Sequence, residues 1–163
     1  MCSPNPITLA RASMTDERGI QELRDIEAIR QLKAHYVRFG DTKQWDKLGE
    51  LFTDDYEAHF DSMPRMSKEG PISGSVTGRQ NFVELFRTML VSCTTIHQLY
   101  SSEITITGPN TATGIWAMHD VVMLPNCIFE GWGHYHDQYV KVAGVWKLSK
   151  SHTTRIRSEE RWL

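Results

Sequence analysis

Hydrophobic residues recur every three or four positions in the first quarter of the chain, from Ile20 to Phe39. This spacing puts one apolar stripe along a long amphipathic helix. Gly40 follows the stripe and is predicted to end the helix as a C-cap. A second, short helix is predicted from Trp45 onward, and a strand over residues 56–60.

A loop and a third helix are predicted next. Prolines, glycines and serines fill residues 61–76, as is typical of a loop. Thr77 followed by Gln80 has the spacing of a capping box, which predicts a helix start at this point. From Thr94 onward, β-branched and aromatic residues alternate with polar ones, as in strands. The strand-like segments are TIHQLY, EITIT, TATGIWAMHDVVML, FEGWGHYHDQYVKV and VWKLSKSHTTRIR.

The order of these elements predicts the fold class. Helices followed by long strands with short turns favour an α+β fold, in which the helices pack on one face of a curved antiparallel sheet. Such a sheet encloses a cone-shaped barrel whose open end can hold a small ligand. The chain has 163 residues, which favours one domain, predicted at 19–163. Residues 1–18 are polar and contain prolines, so they are predicted to be flexible.

Composition excludes several classes of protein. The formal net charge of -2 provides no basic surface for nucleic acid. Neither a signal peptide nor a run of about 18 apolar residues is present, which favours a cytoplasmic protein without a membrane partner. Three scattered cysteines indicate neither a disulfide framework nor a thiolate zinc site. The dinucleotide fingerprint and the P-loop are both missing from the sequence, so no nucleotide cofactor is predicted.

Five polar residues interrupt apolar patterns and are the candidates for chemistry: Tyr36, Asp41, His97, Asp120 and Arg155. Asp41 and His97 are most informative as a pair, because a carboxylate that accepts one imidazole N–H leaves the other nitrogen able to take a proton. The ordinary imidazole pKa of about 6.5 suits a base that works near neutrality. A phenol such as Tyr36 can then hydrogen-bond an oxyanion or protonate a departing hydroxide.

Each of these residues also has a purely structural interpretation. A tyrosine on a helix stripe can be core, an aspartate after glycine can belong to a turn, and a strand histidine can simply be hydrogen-bonded. Asp120 could face solvent, although both faces of its strand look apolar, which favours burial. A less favoured alternative is a metal site built from His134 and His136 with His119, because no carboxylate ligand is clearly placed with them.

Three segments carry a resemblance to a known family: DIEAIRQLKAHYVRFGDTKQWDKL, EITITGPNTATGIWAMHDVV and GHYHDQYVKVAGVWKLSK. They resemble the SnoaL-like branch of the nuclear transport factor 2-like superfamily over most of residues 20–157. Within that branch the sequence is most similar to bacterial bile-acid 7α-dehydratases, and more distantly to scytalone dehydratase and hexachlorocyclohexane dehydrochlorinase. The resemblance implies elimination of a small molecule from a cyclic substrate, with no cofactor and no metal.

The resemblance also implies roles for the candidate residues. His97 is expected to be the base, Asp41 orients it, and Tyr36 or Asp120 assists loss of the leaving group. Arg155 is expected to hold Asp120 or an oxyanion. The sequence itself, and not the resemblance, suggests the residues that bind the substrate: His119 at the pocket entrance and Trp116, Phe60 and Trp45 in its walls.

The expected function is therefore a lyase that removes water from a hydroxysteroid or bile-acid-like substrate through a dienolate. The expected partner is a small hydrophobic cyclic substrate, and relatives imply a homotrimer packed through the outer sheet face. Three alternatives remain open: a double-bond isomerase, a ligand carrier without enzymatic activity, and a flavin- or metal-dependent ring hydroxylase.

Overall fold

The computed structural model describes residues 6–163, with side chains from residue 16 onward. The helices in this part of the chain are α1 (Pro6–Asp41), α2 (Trp45–Gly49) and α3 (Arg79–Leu90). The strands are β1 (Phe52–Phe60), β2 (Gly74–Thr77), β3 (Thr94–Gly108), β4 (Thr111–Met123), β5 (Cys127–Val142) and β6 (Val145–Trp162).

The strands form one six-stranded sheet in the order β2-β1-β6-β5-β4-β3. This arrangement confirms the α+β fold with helices on a curved sheet. However, the sheet is mixed and not wholly antiparallel, because β1 and β6 run parallel while the other neighbours are antiparallel. Parallel strands need a long connection, and here the connection from β1 to β6 contains every strand between them together with α3.

Irregular pairing bends the long strands. The two predicted segments TIHQLY and EITIT are one strand, β3, with a shift of register between Leu99 and Ser102. A second shift lies on β5 between Trp132 and Gly133. A Cβ atom added to Gly133 would lie 1.9 Å from the carbonyl oxygen of Thr154, so only glycine fits at this close approach. Such bulges increase local twist, and they curve the sheet around the helices.

Helix α1 ends differently from the prediction. Gly40 was expected as the cap, but the helix continues through Asp41, and Lys43 takes the left-handed conformation with φ 58°. The Gln44 N–H donates to the Phe39 carbonyl over 2.8 Å and the Lys43 N–H donates to the Gly40 carbonyl over 3.2 Å. This is the Schellman pattern with a lysine where glycine is usual. Asp41 therefore lies in the last helical turn and not beyond it.

The start of α3 is a second difference. Thr77 is the last residue of β2 and not a helix cap, and Gly78 takes the N-cap position without a side-chain hydrogen bond. The Asn81 side chain donates instead to the Thr77 carbonyl over 2.9 Å. The first three residues of strand β2 lie inside the segment 61–76 that was predicted to be a loop. Four residues are too few for an alternating pattern to be recognised.

The hydrophobic core fills the closed end of the cone. It contains Ile29 and Leu32 from α1, Phe52 from β1, Phe82 from α3 and Leu148 from β6. A smaller cluster around Leu124, Cys127 and Phe129 lies between the sheet and α3. None of the helices in residues 6–163 has the length and apolar character that crossing a bilayer requires.

The N-terminal prediction is only partly covered by the structure. Residues 1–5 lie outside the described residues. Helix α1 begins at Pro6, earlier than the apolar stripe that starts at Ile20, and residues 16–20 are exposed. Flexibility of residues 1–18 stays a prediction, as does the domain boundary at 19.

Candidate active site

A pocket lies between the helices and the inner face of the sheet. The space it encloses is about 820 Å³, including the part open to solvent. Its wall is mainly apolar and includes Trp45 and Phe60, two of the residues that were predicted to bind the substrate. The polar side chains that line it are Tyr36, Thr95, His97, Asp120, Tyr135, Thr153 and Arg155. The structure thus brings four of the five candidate residues to one pocket.

The fifth candidate, Asp41, lies behind His97 and binds it twice. Its Oδ1 lies 2.6 Å from His97 Nδ1, and its Oδ2 accepts the His97 backbone N–H over 2.9 Å. The second contact follows from topology, because β3 is the last strand of the sheet and its outer N–H groups face no further strand. The end of α1 runs past this edge and supplies the acceptor. One carboxylate therefore fixes both the backbone and the ring of His97.

The charge of Asp41 decides which imidazole nitrogen can act. Burial raises the pKa of Asp41, but the hydrogen bonds and charge of His97 outweigh it and hold the pKa below the ordinary 3.8. Asp41 is thus ionised near neutrality and accepts the Nδ1 proton of His97. The unprotonated lone pair is then on Nε2, and the ring lines the pocket. This arrangement can remove a proton from a bound ligand.

Asp120 and Arg155 form a buried ion pair beside His97. Asp120 is the register partner of His97 on β4, and both of its oxygens accept hydrogen bonds from the Arg155 guanidinium. The Asp120 side chain is only 5% exposed and the Arg155 side chain only 8%. Arg155 Nε also donates to the Ser62 carbonyl over 3.1 Å. Because Asp120 uses both oxygens as acceptors, it has no proton to donate in this arrangement.

A glycine makes room for this ion pair. Gly131 lies opposite Asp120 on β5. A Cβ atom at this position would lie 2.4 Å from Arg155 Nη1 and 2.7 Å from Asp120 Oδ1. Contacts this short do not occur in folded proteins, so any side chain at position 131 would displace the guanidinium.

Tyr36 lies in the pocket wall. Its ring makes edge contacts with Phe52 and Tyr135, with centroids 6.1 and 5.9 Å away. Burial, and then the carboxylates of Asp137, Asp120 and Asp41, raise the pKa of Tyr36 well above its ordinary value. The phenol therefore keeps its proton at any physiological pH.

Sequence reasoning missed a buried ion pair behind Tyr36. Lys33 Nζ lies 2.8 Å from Asp137 Oδ2, and both side chains are fully buried. The same ammonium lies 3.7 Å from the ring centroid of Tyr135 and 4.4 Å from that of Tyr36. Burial lowers the pKa of Lys33, while Asp137 opposes this effect. The sequence does contain a sign of this buried lysine, because Lys33 lies within the apolar stripe of α1, between Leu32 and Tyr36.

Two residues predicted to bind the substrate lie elsewhere. His119 lies on the outer face of the sheet, because neighbouring residues of a strand point to opposite faces and Asp120 points inward. Its ring nitrogens lie 3.1 Å from Gln98 Oε1 and 2.8 Å from Glu130 Oε1. Trp116 points inward but is buried near the closed end, where it donates to the Tyr139 hydroxyl over 2.9 Å. Neither side chain lines the pocket.

The alternative metal site is not formed. His134 and His136 lie on the outer face with ring centroids 6.2 Å apart, and His119 is bound to Glu130. Among the described residues these three histidines do not converge on one point.

The chain is thus a cone-shaped α+β domain around an apolar pocket, with a histidine–carboxylate pair at the pocket wall. The chain belongs to the family of SnoaL-like domains, whose sequence profile matches residues 21–152.

Named relatives agree with this assignment. A protein of Gibberella zeae named probable cyclase FGR4 is 26% identical over 137 residues, which is 78% of this chain and 89% of that protein. A candidate scytalone dehydratase from Novosphingobium aromaticivorans has a TM-score of 0.71 at 18% identity, over 85% of this chain and 88% of that one. The hexachlorocyclohexane dehydrochlorinase LinA-type3 from Novosphingobium barchaimii also has a TM-score of 0.71 at 18% identity, over 88% and 94%. At such distances the solved structures establish the fold alone.

Proposed function

We propose that the protein is a cofactor-independent lyase that eliminates water from a hydroxylated cyclic substrate, of the bile-acid 7α-dehydratase type. The substrate would be a hydroxysteroid or bile-acid-like molecule with a ring ketone conjugated to an alkene. The observation that carries the proposal is the 2.6 Å contact between His97 Nδ1 and Asp41 Oδ1 at the wall of an apolar pocket.

The first step is proton abstraction by His97. A conjugated ketone acidifies the C–H bond at the vinylogous position, and His97 Nε2 takes this proton to leave a dienolate. The positive imidazolium is stabilised by the ionised Asp41 carboxylate next to Nδ1. General-base catalysis of this kind contributes roughly 10²- to 10⁴-fold in rate, so the remainder must come from orientation and fixed charges in the pocket.

The second step is loss of the hydroxyl group. The dienolate electrons form the new double bond as the C–O bond breaks, and the departing hydroxide takes a proton from Tyr36 to become water. The His97 imidazolium then returns the abstracted proton to the tyrosinate, so both groups are restored. The raised pKa of Tyr36 means that the phenol is protonated before the step.

The ion pair of Asp120 and Arg155 supports the reaction as a fixed charge. Asp120 lacks the proton that a general acid needs, so Tyr36 is preferred to it as donor. The Arg155 guanidinium can stabilise negative charge that develops on the substrate oxygen. Such stabilisation is strong in a pocket with an apolar wall, because the effective dielectric constant is lower than in water.

The names of the relatives agree with elimination chemistry. One is a dehydratase candidate and another a dehydrochlorinase, and both reactions remove a small molecule. The cyclase name leaves open a reaction in which a double bond or ring bond moves without a leaving group.

The homotrimer and the cytoplasmic location stay predictions, and light scattering on the purified protein tests the first.

The test is incubation with a 7α-hydroxy-3-oxo-4-ene steroid, followed by mass spectrometry. Loss of one water, together with the ultraviolet absorption of a longer conjugated system, is the expected result. His97→Ala should reduce the rate by at least about 10²-fold while circular dichroism shows an unchanged fold. Full activity of this variant would exclude His97 as the base. A product of unchanged mass would indicate isomerisation, and ligand binding without any product would indicate a carrier.

A further inference from the structure

We propose that His59, Asp61 and His152 form a binding site for one divalent transition-metal ion of the Zn²⁺ or Co²⁺ class on the outer face of the sheet. The site does not depend on the proposed function. Phe60 and Thr153, which neighbour these residues along their strands, line the pocket on the inner face. The metal site therefore lies one sheet thickness away from the proposed active site.

The fold places the three side chains together. His59 on β1 and His152 on β6 are register partners in the one parallel strand pair, and their ring centroids are 4.8 Å apart. Asp61 lies two residues beyond His59, so the alternation of the strand puts both on the same face. The Asp61 N–H donates to the Thr153 carbonyl over 3.0 Å, which holds this residue in line with β1.

The distances fit a site that closes around an ion. His152 Nε2 lies 2.7 Å from Asp61 Oδ1, and His59 Nε2 lies 4.0 Å from the same oxygen. One ligand atom from each of the three residues lies within 4.8 Å of the other two. Zinc binds imidazole nitrogen and carboxylate oxygen at about 2.0–2.2 Å, so rotation of these half-exposed side chains is sufficient.

A hydrogen-bonded surface cluster alone does not account for His59. Asp61 already accepts a hydrogen bond from His152, and the 4.0 Å separation leaves His59 facing the same oxygen without a hydrogen bond to it. A metal ion between the three side chains would bind all of them. Two imidazoles and one carboxylate, with the remaining positions held by water, are a common ligand set for first-row transition metals.

The position of Asp61 gives the ion a structural effect. Asp61 begins the segment 61–73 that leads from β1 to β2, and Met63, Pro64 and Met66 of this segment line the pocket. A bound ion would tie the start of this segment to β6, and so would restrict its movement relative to the sheet.

The experiment uses the full chain without a polyhistidine tag, treated with EDTA and then titrated with Co²⁺ and with Zn²⁺. The visible absorption of Co²⁺ and calorimetry with Zn²⁺ measure stoichiometry and affinity. We expect saturable binding of one ion per chain and a rise in the thermal unfolding midpoint. His152→Ala and Asp61→Asn should each weaken binding by at least about tenfold, and Asn is informative because it keeps a hydrogen-bond acceptor for His152.

The matched control is His134→Ala, since His134 lies on the same face but outside the cluster. This variant should bind Co²⁺ as the parent does. Absence of saturable binding by the parent chain would overturn the proposal, and so would an equal loss of affinity in His134→Ala and His152→Ala. Circular dichroism confirms that each variant is folded. The elimination assay is run separately, so an inactive protein that binds the ion would refute only the proposed function.

Discussion

Replacing Asp41 by asparagine tests the proposed base with a minimal change of shape. The carboxylate now accepts two hydrogen bonds, from the ring and from the backbone N–H of His97. An amide has one acceptor oxygen and one NH₂ donor, so it can accept only one of these two hydrogen bonds. If the oxygen faces the backbone N–H, the NH₂ group faces Nδ1. The imidazole must then carry its proton on Nε2, where the base is needed.

The expected magnitudes follow from this geometry. With Nε2 protonated the general base is lost, so kcat/KM should fall by roughly 10²- to 10⁴-fold. The loss of one hydrogen bond to a charged group costs about 1.5–3 kcal/mol of the free energy of unfolding. For a domain of this size, each 1 kcal/mol shifts Tm by about 2–4 °C. The variant should therefore be inactive but still folded at room temperature.

The pH dependence of stability provides a second measurement. The pKa of Asp41 is lower in the native state than its ordinary 3.8, so the unfolded chain binds this proton more readily than the native chain does. The stabilisation is thus present above the ordinary pKa and is lost as the pH falls through the lowered native pKa. The difference in Tm between parent and Asp41→Asn should shrink in that acidic range. A variant with parental kcat/KM, or a Tm difference that grows on acidification, would refute the role assigned to Asp41.

Two further changes test the surroundings of the site. Gly131→Ala should lower the free energy of unfolding by about 1–3 kcal/mol, because the added Cβ collides with Arg155. The same collision should lower the elimination rate. Urea unfolding measures the first effect and the steroid assay the second. Gly19→Ala is its control, since a Cβ there meets no atom within 4 Å, and equal stability losses in the two variants would contradict the explanation. Lys33→Met should cost about 3–5 kcal/mol, because it leaves the Asp137 carboxylate buried without its counterion, and a loss below about 1 kcal/mol in urea unfolding would contradict this reading.

Long periodic patterns account for the elements that the sequence predicts well. The stripe of α1 and the alternation of β4, β5 and β6 each extend over many residues, so single exceptions do not hide them. The cap of α1 was predicted wrongly because Gly40 is the residue that usually takes a left-handed conformation. Here Lys43 takes that conformation instead. Local preference is too weak to decide such a boundary.

The site is partly predictable for the same kind of reason. His97 and Asp41 are 56 positions apart in sequence, yet the chemistry of a base and its orienting carboxylate suggests their pairing. His119 and Asp120 are adjacent, and the sequence cannot show which of them points inward, because both faces of β4 carry mostly apolar residues. In the structure His119 points outward and stacks on Trp132, with ring centroids 5.0 Å apart. Burial of Lys33 depends on Asp137 from a distant strand, and no local pattern reports that contact.

The second hydrogen bond of Asp41 has a consequence for the behaviour of the protein at high concentration. The backbone N–H of His97 lies on a strand that has a neighbour on one side only, where a strand from another molecule could otherwise dock. By accepting that N–H, the carboxylate occupies one of the groups with which such a strand would pair. A residue without an acceptor oxygen at this position, such as alanine, should therefore leave this N–H open to strand pairing, whereas asparagine keeps an acceptor for it.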